Sequence, residues 1–458
     1  MDRFDYKKSS PRNSRPLSSR GGSRLCYTRV FSLRILGRPE VKALAFTALF
    51  VVFAFLATLL AVQSVVALRD GYRFLRYVRR RIGQPPGDFT PRAAVIIPCK
   101  GVDPGFESHI TRFLAQDYPS YQLIFVVATD NDPAHEALKA LVEKAKSAIA
   151  HDSRLPPKTA IVIAGHSEVR GEKVNNLLRG LTAVDPSAEV IAFADADARP
   201  REDWLRSLVA PLADPAVTVS TGFRWYLPGA GFVSQLRAAW DTSIATLLGE
   251  HRSNFTWGGS MALRNRDFKR LEIAERYWAH TVSDDYGVTR AVRDSGGWIR
   301  FEPRCLVASR EDSTFREFLN WSNRQIILTR VYASRLWTLG LVSLGLYCST
   351  FLLGAGLLIA GGTPCTARPA IAATLLMILC LGLAKGRIRT TVAREMFPEE
   401  CEALARWGAR YWQLSPLVPW VMLFNFVMAG LVRRIEWRGT WYELRSVNEV
   451  RVIKRAAD

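Results

Sequence analysis

The sequence predicts an α/β domain, built on a parallel sheet with crossover helices and joined to membrane-spanning helices. Three observations predict it. Between Ala93 and Ala194, short apolar runs alternate with segments of helical period, which is the order of a sheet wound by crossovers. Three stretches nearly lack charge: residues 43–68 carry none, 336–384 carry only Arg368, and 411–432 carry none. Polar residues follow the apolar runs, at Cys99-Lys100-Gly101, Asp130, Asp132 and Asp195/Asp197, where a parallel sheet gathers its ligands.

Residues 1–42 form a basic tail. Its first 24 residues are rich in Ser, Arg and Pro and show no apolar period, the composition of a disordered segment. Residues 43–68 are long enough to cross a bilayer, and no small-residue cleavage site follows them, so they read as a retained anchor. The juxtamembrane segment 69–92 has six arginines between Arg69 and Arg81, interleaved with Tyr72, Phe74, Leu75, Tyr77 and Val78. That pattern fits a helix leaving the bilayer whose charges meet anionic headgroups.

The main domain runs over 93–312. Strands are expected at 93–98, 121–128, 159–164 and 189–194, with helices at 106–116, 134–150 and 174–183 between them. The second half is less regular. Residues 313–337 read as an amphipathic helix with an incomplete apolar stripe, Phe315, Phe318, Leu319 and Ile326 among it, placed at the membrane interface. The turn Gly361-Gly-Thr-Pro364 divides the next apolar stretch into spans 338–362 and 369–384. A basic loop at 385–410, a fourth span at 411–432 and a C-terminal tail at 433–458 complete the reading.

The net charge is +20. Residues 1–81 hold 17 Lys/Arg and 4 Asp/Glu, and 385–458 hold 13 and 8, which leaves 32 and 30 for the middle. The excess lies beside the membrane segments rather than on the domain, so nucleic acid is excluded as a partner. Seven scattered cysteines without a Cys-x-x-Cys form neither a zinc site nor a disulfide framework.

Asp195-Ala196-Asp197 closes the run Glu189-Val-Ile-Ala-Phe-Ala194. Side chains alternate along an extended chain, so both carboxylates face one side. Such a pair suits a hard divalent cation, Mg2+ or Mn2+, that also takes phosphate oxygens. Lys173, just before a helix, reads equally as a solvated loop lysine or a phosphate contact. Asp284-Asp285 follow Ser283, a good helix cap. Two adjacent carboxylates also repel, which raises one pKa and suits a general base. Trp257-Gly258-Gly259-Ser260 sets an aromatic face beside open backbone, fit for a sugar or nucleotide, or else for a strand with a glycine bulge.

Several ordered motifs resemble those of ceramide glucosyltransferases, membrane relatives of the family-2 glycosyltransferases. They are Lys100-Gly-Val-Asp-Pro104, Gln116-Asp-Tyr-Pro-Ser-Tyr-Gln122, Asp132-Pro-Ala134, Asn175-Asn-Leu177, Gly258-Gly-Ser-Met261 and Asp284-Asp-Tyr286. An arginine-bearing helix before a membrane segment agrees. The resemblance implies a GT-A fold, Rossmann-like and built for nucleotide-diphospho-sugars. It implies nucleotide-sugar contacts at Pro98, Lys100, Asp130 or Asp132, and Lys173, metal at Asp195 and Asp197, and a base at Asp285 beside Asp284. Acceptor or diphosphate contacts fall to Trp257, Gly258, Gly259, Ser260, Arg324 and Arg330. The family's (Gln/Arg)-x-x-Arg-Trp motif departs here: in Arg324-Gln-Ile-Ile-Leu328, Ile327 and Leu328 stand for Arg-Trp, and Arg330 is the nearest replacement cation.

The expectation is an integral membrane glycosyltransferase that moves a hexose, glucose foremost, from a UDP-sugar to a lipid such as ceramide, with inversion. The alternatives are a processive polysaccharide synthase and a non-catalytic membrane scaffold. The arginines at 69–81, Arg330 and Arg335 put the domain on the cytoplasmic side by the positive-inside rule, of the inner or plasma membrane if the source is bacterial. The basic tail before Lys42 argues the reverse. The cytoplasm is favoured because nucleotide sugars are made there.

Overall fold

The computed structural model describes residues 39–149 and 157–455. The expected disordered segment at 1–24 lies outside them. Seven strands form one sheet: β1 (Ala93–Pro98), β2 (Tyr121–Val127), β3 (Lys158–Ile163), β4 (Val190–Ala194), β5 (Val217–Tyr226), β6 (Ser260–Arg264) and β7 (Trp298–Ser309). Their order is β3-β2-β1-β4-β6-β5-β7. The first four pair in parallel, as the alternation of runs and helices requires. Both faces of β1, β2 and β4 are covered, Val95 and Ile97 entering one apolar cluster and Ala94 and Ile96 the other, while β3 at the sheet edge is only partly buried. That is why the covered strands read as continuous apolar runs rather than alternating ones.

The sheet is not wholly parallel. β6 runs antiparallel to both β4 and β5. It lies between them and pairs Ser260 with Ala194, so the turn 257–259 comes to rest beside the exit of β4. The α/β GT-A architecture is therefore present, in mixed form.

Among the described residues, three helices are long and apolar enough to cross a membrane: Ala43–Ile82 within the helix Pro39–Ile82, Ser334–Ile359 and Arg368–Met396. The first continues through Arg79–Arg81, so the arginine segment is the helix emerging from its apolar part. Several boundaries differ from the expectation. The span expected at 369–384 is a helix of 29 residues, and the "loop" from 385 is its continuation to Met396; Lys385, Arg387 and Arg389 end the apolar run without breaking the helix. The expected fourth span is a 14-residue helix, Val418–Leu431. At 1.5 Å per residue it covers about 21 Å, short of a hydrocarbon core of about 30 Å. Its buried Asn425 donates to Ser322 Oγ at 3.0 Å and Asn323 Oδ1 at 2.8 Å and accepts from Trp240 Nε1, which fastens it to the domain.

The amphipathic helix spans Phe315–Tyr332, opened by a capping box between Thr314 and Glu317. It breaks at Ala333 before the next helix starts. Phe318, Ile326, Ile327 and Leu328 face a protein cluster shared with Val418 and Phe426, so protein covers most of its apolar stripe, while Phe315 at its start stays exposed. The expected tail is a second sheet, β8 (Arg434–Trp437), β9 (Thr440–Ser446) and β10 (Glu449–Lys454), all antiparallel.

Candidate active site

The acidic pair follows β4 in a turn, closed by the Ala198 N–H on the Asp195 carbonyl at 3.1 Å, rather than in the extended chain expected, and the turn before β6 meets it. A methyl group added at Gly259 would stand 2.5 Å from Asp195 Oδ2, and one at Gly258 would stand 1.9 Å from Asp284 Oδ2. These glycines are required by close approach: Asp195 and the Trp257 ring crowd Gly259, and Asp284 crowds Gly258. Lys173, at the start of the helix Glu172–Leu181, joins the two carboxylates. Its Nζ lies 2.7 Å from Asp195 Oδ1 and 3.1 Å from Asp284 Oδ2. Lys173 is thus a bridging cation of the site and not a solvated loop residue.

Ser283 does cap the helix Asp284–Asp294, its Oγ accepting from the Tyr286 N–H. The same Oγ donates to Asp285 Oδ1, which also accepts from the Tyr286 N–H at 2.8 Å. The cap therefore holds the Asp285 carboxylate through one oxygen. Asp284 is 2% exposed. Burial pushes it up to about 6; Lys173 pulls the other way, and Asp285 and Asp195 add to the rise. Burial also works against the charge of Lys173, yet Asp195 and Asp284 hold it protonated well above the ordinary lysine range.

Sequence reading missed Arg224. From the end of β5 its guanidinium reaches Asp197 Oδ2 at 2.9 Å, Asp197 Oδ1 at 2.6 Å and Asp195 Oδ2 at 3.2 Å. It also lies 5.3 Å from the centre of the Trp257 ring. Burial alone would raise Asp197, but Arg224 holds it below the usual carboxylate range. A signal existed: Thr221-Gly-Phe-Arg-Trp-Tyr226 is a buried strand interrupted by a single cation.

Among the described residues no group of three or more His, Cys, Asp or Glu side chains is placed to hold a metal. Asp195 and Asp197 alone are two hard carboxylates on one strand end. That donor set fits Mg2+ or Mn2+, which commonly takes one or two carboxylates and completes its shell with phosphate and water.

The cleft is lined by Pro98, Lys100, Lys173, Asp195 and Asp197 on the domain side, and by Trp437, Arg438 and Tyr442 from the second sheet. Lys100 pairs with Glu172 at 2.9 Å. Asp132 shapes the rim, accepting from the Gly101 N–H at 2.8 Å and the Ala134 N–H at 2.9 Å. Asp130 is exposed and offers its backbone carbonyl to His135, so of the two it is Asp132 that the fold ties to the cleft.

The last motif divides. Arg324 lies 5.1 Å from the centre of the Trp437 ring and donates to the Glu436 carbonyl. Burial pushes it down to about 10, so an anion brought near it gains a strong partner. Arg330 instead donates to the Ala429 carbonyl at 2.7 Å and lies over Trp337; it ties two helices together and is not a replacement cation for the site. Ile327 and Leu328 point into the core. Ser260 is fully buried, its Oγ accepting from Trp204 Nε1 at 2.9 Å, so it supports the turn from below and does not line the cleft.

The raised Asp284 gives a pH prediction. A carboxyl whose pKa stands above its ordinary value takes its proton first as pH falls. Turnover should therefore decline below about pH 6, as Asp284 gains a proton and Lys173 loses one carboxylate partner. Asp284→Asn removes that titrating group and should move this acid limb to lower pH. A kcat/KM profile across about pH 5 to 8 checks it; an acid limb at the wild-type position in the variant would exclude Asp284 as its source.

The family model for glycosyl transferase family 21 matches residues 50–450. A ceramide glucosyltransferase of Komagataella phaffii is 27% identical over 127 residues, which are 27% of this chain and 23% of that protein. The match thus spans about a quarter of the curated relative's length. Among solved structures, a mannosyltransferase of Pyrobaculum calidifontis in complex with GDP-Man and Mn2+ is 18% identical, covering 83% of this chain and 98% of that one at a TM-score of 0.42. Glucosyl-3-phosphoglycerate synthase of Mycobacterium tuberculosis, in complex with Mn2+, UDP and glucosyl-3-phosphoglycerate, is 16% identical, covering 52% and 80% at a TM-score of 0.34.

Proposed function

The chain belongs to glycosyl transferase family 21, and from that membership we propose a membrane-bound transfer of a hexose, glucose foremost, from a UDP-sugar to a lipid hydroxyl such as that of ceramide. The observation that carries this reading is a linked set of charges: Lys173, in the cleft with Asp195 and Asp197, bridges Asp195 to the buried Asp284, and the Gly258–Gly259 backbone packs against both carboxylates. Neutralising a leaving diphosphate and deprotonating an attacking hydroxyl need charged groups held this close together.

In this reading Asp285 removes the acceptor's proton as the hydroxyl attacks the anomeric carbon from the face opposite the leaving group, which inverts that centre. Asp284 and Lys173 fix the charge beside it. Pro98, Lys100 and Asp132 would border the nucleotide, and Asp195 and Asp197 would hold Mg2+ or Mn2+. The bound cation would neutralise charge on the departing diphosphate. Lys173 and Arg224 keep the acidic pair in place, and Trp257 with the open backbone of 258–259 borders the sugar. The lipid acceptor is supported by three helices of membrane-crossing length attached to the domain and by the ceramide glucosyltransferase relative. The cytoplasmic orientation rests on the arginines that follow the first apolar helix.

Arg324 is assigned to the diphosphate or an acceptor headgroup. Arg324→Ala should lower turnover about ten- to hundred-fold, as loss of one charge-assisted contact does. Arg335→Ala, at an exposed position beside the membrane helix, should change it less than about two-fold. A labelled-sugar assay with both variants in parallel is the check; equal losses would remove Arg324 from the site. The whole reading is tested by UDP release from UDP-glucose with and without added lipid extract, and release that ignores the lipid would speak against it.

A further inference from the structure

The C-terminal hairpin enters the cleft. β8 and β9 are joined by the two residues Arg438 and Gly439, since Trp437 pairs with Thr440. Both adopt positive φ, 47° and 79°. A tight two-residue turn of this kind matches the twist of its strands but is costly for a residue with a side chain. Asn-Gly would make the turn with less strain; the chain places an arginine there.

The guanidinium of Arg438 donates to the Lys100 carbonyl at 2.8 Å and pairs with Asp103 at 2.5 Å. It lines the same cleft as Asp195, Asp197 and Lys173, and its charge acts on Asp197 and Asp195. Trp437, the residue before it, lies under Arg324. Tyr442 on β9 accepts the Glu172 N–H at 3.2 Å, which seats the hairpin on the first turn of the helix that carries Lys173. The partner Asp103 is 40% exposed and the Arg438 side chain 42%. A pair this open contributes little, whereas an arginine on a phosphate forms parallel charge-assisted hydrogen bonds.

Resting on the nucleotide-sugar reading above, we propose that Arg438 is a donor-binding residue: it exchanges Asp103 for the diphosphate of a nucleoside diphosphate, with the C-terminal hairpin as the outer wall of the donor site. Trp437 and Arg438 then present an aromatic ring and a cation at the cleft next to Arg324, whereas Ile327 and Leu328 of the helix Phe315–Tyr332 are turned into the core.

The test is calorimetric binding of UDP, and of GDP in parallel, with Mn2+, to the full chain in lipid nanodiscs. Arg438→Ala is expected to weaken UDP about ten- to hundred-fold, Arg438→Lys less, since it keeps the charge but not the fork. Asp103→Asn frees the arginine and should bind UDP as tightly as wild type or a few-fold more tightly. If Arg438 only fastens the hairpin, removing either partner of the pair acts alike; equal weakening by Arg438→Ala and Asp103→Asn overturns the proposal, as does wild-type affinity in Arg438→Ala. A wild-type chain that binds neither UDP nor GDP overturns the nucleotide-donor reading itself and this inference with it.

Discussion

Replacing Asp285 by Asn should lower kcat about a thousand-fold, within the range that a positioned general base supplies, while the donor's affinity stays within a few-fold. The reason lies in where Asp285 stands. Its carboxylate is held by the Ser283 hydroxyl and the Tyr286 N–H at the first turn of its helix, so the amide of Asn can keep an oxygen in the same place and preserve the cap. What Asn cannot do is take a proton. A change confined to the attack on the donor sugar lowers kcat without changing how the donor binds. Single-turnover rates with saturating lipid, set beside UDP binding, separate the two quantities. Lost UDP affinity with a high residual rate would place Asp285 on the donor side.

Asp197→Ala should abolish turnover, by more than about a thousand-fold, for a different reason and with a different side effect. Asp197 supplies half of the acidic pair, and with it half of the protein's hold on a divalent cation. It is also the principal partner of Arg224, which is only 11% exposed. Removing one member of a buried ion pair costs about 3–5 kcal/mol where nothing replaces it. Here Asp195 at 3.2 Å and Glu311 at 3.5 Å remain, so the loss should fall below that figure. A modest drop in Tm with a complete loss of metal-stimulated turnover is the expected pattern. Near-normal activity with an unchanged Mn2+ requirement would remove Asp197 from the metal site.

How much of this was legible in the sequence depends on where each residue lies in the chain. β1, β2 and β4 were readable because strands buried on both faces are continuous apolar runs, and Asp195, Asp197 and Asp132 were readable because they follow such runs. Asp284 and Asp285 announced themselves as a capped acidic pair. The lysine at 173 stayed undecided, since nothing local tells a loop lysine from one that bridges residues 195 and 284. Arg224 and Arg438 were missed because each reaches the cleft only through tertiary pairing: β5 through the antiparallel insertion of β6, and the hairpin through a sheet built from what composition reads as a tail. The fourth span was misread for a related reason. Freedom from charge over 411–432 says nothing about the turn at 414–417 that holds Pro416, or about Asn425 finding partners at Ser322 and Asn323.

The central claim is that this cleft moves sugar from a nucleotide to a lipid. Its most direct test follows labelled glucose from UDP-glucose, with Mn2+, into products made by the purified chain in nanodiscs supplied with ceramide-containing lipid extract. Mass spectrometry then identifies the labelled species. The account predicts a labelled monohexosyl lipid in the organic phase from the wild type, reduced about a thousand-fold with Asp285→Asn. Label found only in water-soluble or polymeric product, or a lipid product made equally well by Asp285→Asn, would contradict it.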